Sequence, residues 1–166
     1  MAISSIASYV FRAARFSGCC ALCIWLIRLL FRRTLPLRQE AMFLLKCAYL
    51  AALTEIIALR GLNGLGNRPD ILYIPFHTLA AQARAGLWPF IYHTAGNLIW
   101  FVPLGMMLEK RRLGSALLCG LGVSLCLETM QWLLGTGVPD VDDLLLNALG
   151  AGLGWLSMCA YSRIKR

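Results

Sequence analysis

Apolar runs follow one another along the chain, separated by short polar or Gly/Pro-rich breaks. A weakly amphipathic start with Arg12 and Arg15 leads into residues 16–31, an apolar run marred by Arg28. That run is short beside the ~20 apolar residues a bilayer crossing takes. It either spans or lies flat in the interface. "TLPLRQE" reads as a turn, and residues 41–59 predict a second helix with Lys46 and Glu55 inside it. A long connection, 60–92, is rich in Gly, Asn and Pro, which break regular structure. Its Trp, Tyr and Phe suit a membrane interface. Residues 93–108 predict a third helix containing Pro103, and 113–134 make the clearest span. The turn "GTGVPDV", 135–141, leads to a last helix over 142–161.

Composition turns this pattern into a class. Of 166 residues, 59% are hydrophobic and 14% charged, with a mean hydropathy of +0.68. Soluble domains carry roughly 25% charged residues, and a soluble fold of this length cannot hide so much apolar surface. The expected fold is all-α: a polytopic membrane bundle of four transmembrane helices, plus an N-terminal hydrophobic helix that is either a fifth span or interfacial. By segment, 1–40 is the N-terminal hydrophobic or interfacial helix with its basic turn. Residues 41–162 are the transmembrane domain, and 163–166 a basic cytoplasmic tail. The start resembles a signal peptide but lacks a small-residue cleavage site and ends in Arg32 and Arg33, so it is read as retained.

The formal charge of +8 does not point to nucleic acid. The basic residues cluster beside apolar segments, which is the topology signal of membrane proteins. Arg32, Arg33 and Arg38 mark one such cluster, Lys110, Arg111 and Arg112 a second, and Arg163, Lys165 and Arg166 a third. With all three in the cytoplasm, the 60–92 connection and the 135–141 turn face outward and the C-terminus inward. Seven Cys (19, 20, 23, 47, 119, 126 and 159) lie almost entirely within apolar runs. Cys19, Cys20 and Cys23 lack a second cluster or a nearby His to complete a metal site, so they read as small hydrophobes. Neither a metal nor a cofactor is expected.

Candidate chemistry gathers in "LETMQWLLGTGVPDVDDLLLN", residues 127–147, which holds Glu128, Asp140, Asp142 and Asp143. Glu128 and Gln131 share a helix face near its outer end, and Ser124 continues that face one turn deeper. Asp142 and Asp143 open the next helix, where carboxylates suit the N-terminal dipole. Asn147 follows one turn below Asp143, then Gly150 and Gly154 form a small-residue strip that admits a close neighbour and can serve a homodimer. Asn97 lies near the outer end of the third helix, and His77 and His93 lie in or beside the outer connection. Each residue also has a plain structural reading: Asp142 or Asp143 as a helix cap, Asp140 as a solvated turn, Asn97, Gln131 and Asn147 as interhelical bonds, the His as interfacial side chains. Glu128 resists dismissal, because a buried carboxylate needs a partner or a proton.

Four pieces in order, "YIPFHT", "GNLIWFVPLGMML", "LETMQ" and "VPDVDDLLLNALGAGLG", resemble the successive signatures of the VanZ-like family over roughly residues 70 to 160. The matching positions are Pro75, Phe76, Asn97, Pro103, Gly105, Glu128, Gln131, Asp140, Asp143, Asn147, Gly150 and Gly154. The segment before about residue 40 looks like an addition to that shorter pattern. The resemblance implies a small helical membrane protein of the bacterial cytoplasmic (inner) membrane, C-terminus cytoplasmic. The family's name-giving member is associated with low-level resistance to teicoplanin, a lipid-tailed glycopeptide, and relatives occur beside envelope polysaccharide systems.

The expected function is binding of a membrane lipid, a lipid-linked glycan or a lipoglycopeptide in an outer-leaflet polar pocket. Asn97, Glu128, Gln131, Asp140, Asp143 and Asn147 are the expected ligand-binding residues. Carboxylates repel a bare phosphate, so a sugar, an amine or a cation-bridged phosphate is preferred, with Arg60, Arg68 and Arg84 available for positive charge. The alternatives are a membrane-embedded enzyme using Glu128, Asp140 and Asp143, with His77 or His93 on a metal, and a small lipid transporter. Against the enzyme, the chain has neither HExxH nor Gly-x-Ser-x-Gly. Against the transporter, the helices are few and no internal repeat is visible.

Overall fold

The computed structural model describes residues 2–31, 36–59, 70–108 and 111–165. Among them all regular secondary structure is helical: α1 (Ala2–Leu30), α2 (Leu37–Ile57), α3 (His77–Ala85), α4 (Leu87–Met106), α5 (Leu113–Leu134) and α6 (Val141–Ile164). Three carry stretches long and apolar enough to cross a bilayer: Ala13–Leu30 within α1, α5 and α6. α2 and α4, at 21 and 20 residues, reach ~30 Å at 1.5 Å per residue. Their polar positions, Glu40, Lys46 and Glu55 in one and His93 and Asn97 in the other, dilute the hydropathy.

Several boundaries differ from the sequence reading, each for a local reason. The amphipathic start and the apolar run are one continuous α1, because no proline intervenes and a lone Gly18 costs only ~1 kcal/mol. α2 begins at Leu37 directly after Pro36, so half of the expected turn is its first turn. The long connection contains α3, "HTLAAQARA", built from strong helix formers. α4 starts at Leu87 rather than 93. Pro89 falls in its first turn, where the N–H it lacks would be unsatisfied anyway. α6 runs on to Ile164, into the expected tail.

The chain divides into two compact units, Met1–Asn63 and Gly64–Arg166. The first is the α1–α2 hairpin. Arg28 in the last turn of α1 donates from Nε to Glu40 Oε1 at 2.8 Å and from Nη2 to Oε2 at 3.0 Å. Its guanidinium also lies over the Phe43 ring, 4.5 Å from the centroid. The charge that marred the first apolar run is thus matched in a fork by a carboxylate twelve residues on.

In the second unit α6 is central. α4 runs parallel to it: Leu98 backs onto Gly150 and Val102 onto Gly154. α5 runs antiparallel on its other side, with Gly120 against Ala151 and Leu117 against Gly152. In lipid no hydrophobic gradient drives helices together, so small residues that let backbones touch supply the dispersion contact. The approach is extreme here. A Cβ on Gly154 would stand 1.9 Å from the Val102 carbonyl oxygen, and one on Gly150 2.3 Å from that of Leu98. The neighbour that the Gly150–Gly154 strip receives is α4 of the same chain. One isolated bridge ties the connection to the α5–α6 turn: Leu72 N–H donates to Pro139 O at 2.9 Å, and Val141 N–H to Leu72 O at 3.0 Å.

Gly154→Ala should therefore separate α4 from α6 at a cost of about 1–3 kcal/mol, the usual range for overpacking. It should lower the detergent melting temperature followed by tryptophan fluorescence. Gly122→Ala, whose Cβ would meet nothing within 4 Å, should leave that temperature unchanged or slightly raised.

Candidate polar site at the start of α6

The start of α6 is held by its own carboxylates. Asp140, extended at the N-cap, accepts the Asp142 N–H on Oδ1 at 2.9 Å, the usual reward for Asp at that position. Asp142 is fully buried, and its carboxylate turns the other way. One oxygen accepts the Leu79 N–H at 3.0 Å and the other accepts that of Phe76. These are free N–H groups at the head of α3, which has no side-chain cap of its own. α6 therefore caps α3 from more than sixty residues away. The cap also holds Phe76 in the left-handed region, φ 62°. Two of the three clustered Asp are accounted for by backbone. Asp140, expected among the ligand-binding residues, works here as a helix cap.

Asp143 faces α4. Its Oδ1 accepts from Asn97 Nδ2 at 2.6 Å. His93 Nε2 stands 3.2 Å from the same oxygen, within ion-pair distance but outside hydrogen-bond alignment. His93 and Asn97 are one turn apart on α4, so both reach one carboxylate. One turn into α6, Asn147 Nδ2 donates to Ser124 Oγ at 2.8 Å, and both residues are buried. The other amide atom, Asn147 Oδ1, is buried with no hydrogen-bond partner among the described residues, as is Thr94 Oγ1.

Glu128 is also buried. With Ser124 opposite Asn147, antiparallel helices bring Glu128, one turn on in α5, level with Asp143, one turn back in α6, about 6 Å along the axis. Gln131 is buried against the α5–α6 turn. A Cβ on Gly137 would fall 1.6 Å from its Nε2, so a larger residue there would displace the Gln131 side chain. Of the expected site residues, then, Asn97 and Asp143 touch each other. Glu128 lies level with them and Asn147 one turn below, while Gln131 and Asp140 serve the turn.

His93 and Thr94 carry more of this group than their sequence reading assigned them. The signal was "HTAGN", which puts a His and an Asn at helical spacing on one face. His77 lies elsewhere, beside a small cavity of about 100 Å³ lined by Ile71, Leu72, Tyr73 and Ile74. Arg60 and Arg68 fall outside the described residues, as do Arg32, Arg33, Lys110 and Arg166 of the basic clusters. Among the described residues no three His, Cys, Asp or Glu come together to hold a metal.

Asp143 and His93 keep 17% and 20% of their side chains exposed, so the group is open at one edge and closed below. It presents a carboxylate, an imidazole, amides and hydroxyls. Such a set orients hydroxyls and amines. The buried hydroxyl, Ser124, is engaged by Asn147 rather than set against the imidazole as a nucleophile.

Asp142→Ala would strand two N–H groups that now donate to a carboxylate, a loss of about 1.5–3 kcal/mol for each charge-assisted bond. Residues 70–86 should become accessible to protease in reconstituted vesicles and the melting temperature should fall. Asn97→Ala, at the same end of the bundle, should leave the protease pattern intact.

A search of curated proteins and one of solved structures each return no match. A family model described as VanZ/LLP1 matches residues 19–162. The match opens inside α1 and takes in all of α2, so much of the segment read as an N-terminal addition falls within it. It runs on through the caps, the glycine contacts and the polar group just described, and so covers most of the chain. By that match, and by its apolar helices, this chain is a membrane protein of the VanZ/LLP1 family.

Proposed function

We propose that the protein binds the polar head of a lipid-anchored molecule at the start of α6, the head being a glycan or glycopeptide rather than a bare phosphate. The observation that carries this reading is the half-open Asp143, bonded to Asn97 beside His93. A buried amide oxygen and a buried hydroxyl nearby lack partners among the described residues. Buried polar groups left unpaired cost ~1–3 kcal/mol each, and a hydroxyl-rich head that meets them recovers part of that. The carboxylates of Glu128 and Asp143 disfavour an unaccompanied anion.

Charge placement supports an outward-facing site. Arg111 and Arg112 stand at the start of α5, and Arg163 and Lys165 at the end of α6. In an antiparallel pair both positions are opposite the polar group. By the preference of basic residues for the cytoplasm, the site opens to the outer leaflet of the bacterial cytoplasmic membrane and the C-terminus stays inside. Lipid-linked envelope precursors and lipid-tailed glycopeptides such as teicoplanin are the ligands available there. The enzyme alternative with Glu128, Asp140 and Asp143 loses support, since Asp140 is committed to the α6 cap.

The test compares wild type with an Asp143→Asn, Glu128→Gln variant, both purified in mild detergent and examined by native mass spectrometry. A glycosylated lipid species should co-purify with the wild type and fall by about tenfold or more on the variant, the loss of one or two polar contacts. Equal and nonspecific lipid on two equally stable proteins sinks the reading.

A further inference from the structure

A second cavity, in the Met1–Asn63 unit, takes no part in that reading. It is open, measures about 680 Å³, and is lined by Pro36, Arg38, Gln39, Met42, Phe43 and Lys46. Arg38, Met42 and Lys46 fall four residues apart and so on one face of α2. That face alternates cation, thioether and cation, with the Phe43 ring beside it.

The charge around this cavity is unbalanced. Glu40 is the acid nearest in sequence, and both of its oxygens are held in the fork of Arg28. Arg28 in turn lies over Phe43, so that pair is neutral and fixed. Arg38 and Lys46 have no hydrogen-bond or ion-pair partner among the described residues. Two uncompensated cations therefore share the cavity with an apolar floor. Its surroundings are apolar too: Leu37, Met42 and Leu45 are all exposed, which in a membrane protein sets the cavity against lipid.

The occupant must carry a compact anion at one end and hydrocarbon at the other. Arg38 stands in the first turn of α2, and Lys46 lies about 12 Å further along it. The Lys46 stem can snorkel back toward the helix start, which lets both cations approach one phosphate. We infer that this face of α2 binds an anionic phospholipid. Arg38 and Lys46 hold its phosphate, and Met42 and Phe43 pack against its glycerol and upper acyl chain. This site shares no residue with the polar group at the start of α6.

The experiment offers the full chain, in mild detergent, equal amounts of phosphatidylglycerol and phosphatidylcholine with matched acyl chains, and counts bound lipid by native mass spectrometry. Wild type should retain phosphatidylglycerol roughly tenfold over phosphatidylcholine, as two basic contacts to an anionic lipid imply. Arg38→Gln with Lys46→Gln should abolish the preference, while Arg38→Lys with Lys46→Arg should keep it. Arg163→Gln with Lys165→Gln removes the same charge at the other end of the chain and should leave it intact. So should Asp143→Asn with Glu128→Gln, which separates this site from the first. A preference that survives Arg38→Gln with Lys46→Gln overturns the inference. So does one lost equally on removing Arg163 and Lys165, which would reduce it to net charge. Displacement by millimolar glycerol phosphate would assign the site to a soluble anion and overturn the lipid.

Discussion

The backbone contact between α4 and α6 at Gly150 and Gly154 is the constraint on which the Gly64–Arg166 unit rests. Because Leu98 and Val102 lie on those glycines with no side chain between, the two backbones are in direct contact. A 2.6 Å bond between Asn97 and Asp143 exists only at that separation, since both side chains are short. Moving α4 outward by the width of a methyl group would break it and carry His93 away as well. A packing device of the apolar bilayer thus sets the distances of a polar group. The glycine strip and the acidic cluster, adjacent in sequence, are one mechanism.

Asp142 shows the other half of that economy. A fully buried carboxylate costs several kcal/mol unless its oxygens are met by donors. Here the donors are backbone N–H groups of Phe76 and Leu79, which need an acceptor themselves. Each side satisfies the other's need, and the consequence is topological. The connection after Asp70 is bound to the start of α6 by this carboxylate and by the Leu72 bridge to Pro139 and Val141. The polar group therefore has a backbone wall supplied from far earlier in the chain. The left-handed Phe76 is the strained residue that this wall requires.

The order of the long helices in the second half was legible in the sequence, since long apolar runs between glycine and basic breaks have no other stable form in a bilayer. The close approach at Gly150 and Gly154 was legible as a small-residue strip, but its partner was not. A four-residue spacing says that a neighbour comes near without saying which. α3 was hidden because the glycines and prolines flanking "HTLAAQARA" dominate a composition count, and Pro89 reads as a breaker until its place in a first turn is known. The division of labour among Asp140, Asp142 and Asp143 was the least legible. Three carboxylates within four positions look alike in sequence. Only the rotation of one residue per 100° sends the first to its own helix, the second to α3 and the third to α4.

That rotation also explains why the acids cannot be exchanged for one another. Asp140 and Asp142 accept from main-chain donors, and their part is played within the fold itself. Asp143 is met by a side-chain amide and approached by an imidazole, both on a single helix, and it keeps an open edge. A group already fixed by its neighbours has lost the rotamer entropy that binding would otherwise cost. Its neighbours Asn147 and Thr94 add buried atoms that lack partners among the described residues. Among the described residues, the buried unpartnered atoms of His93, Thr94 and Asn147 thus lie on α4 and α6 close to Asp143, beside the caps that Asp140 and Asp142 provide.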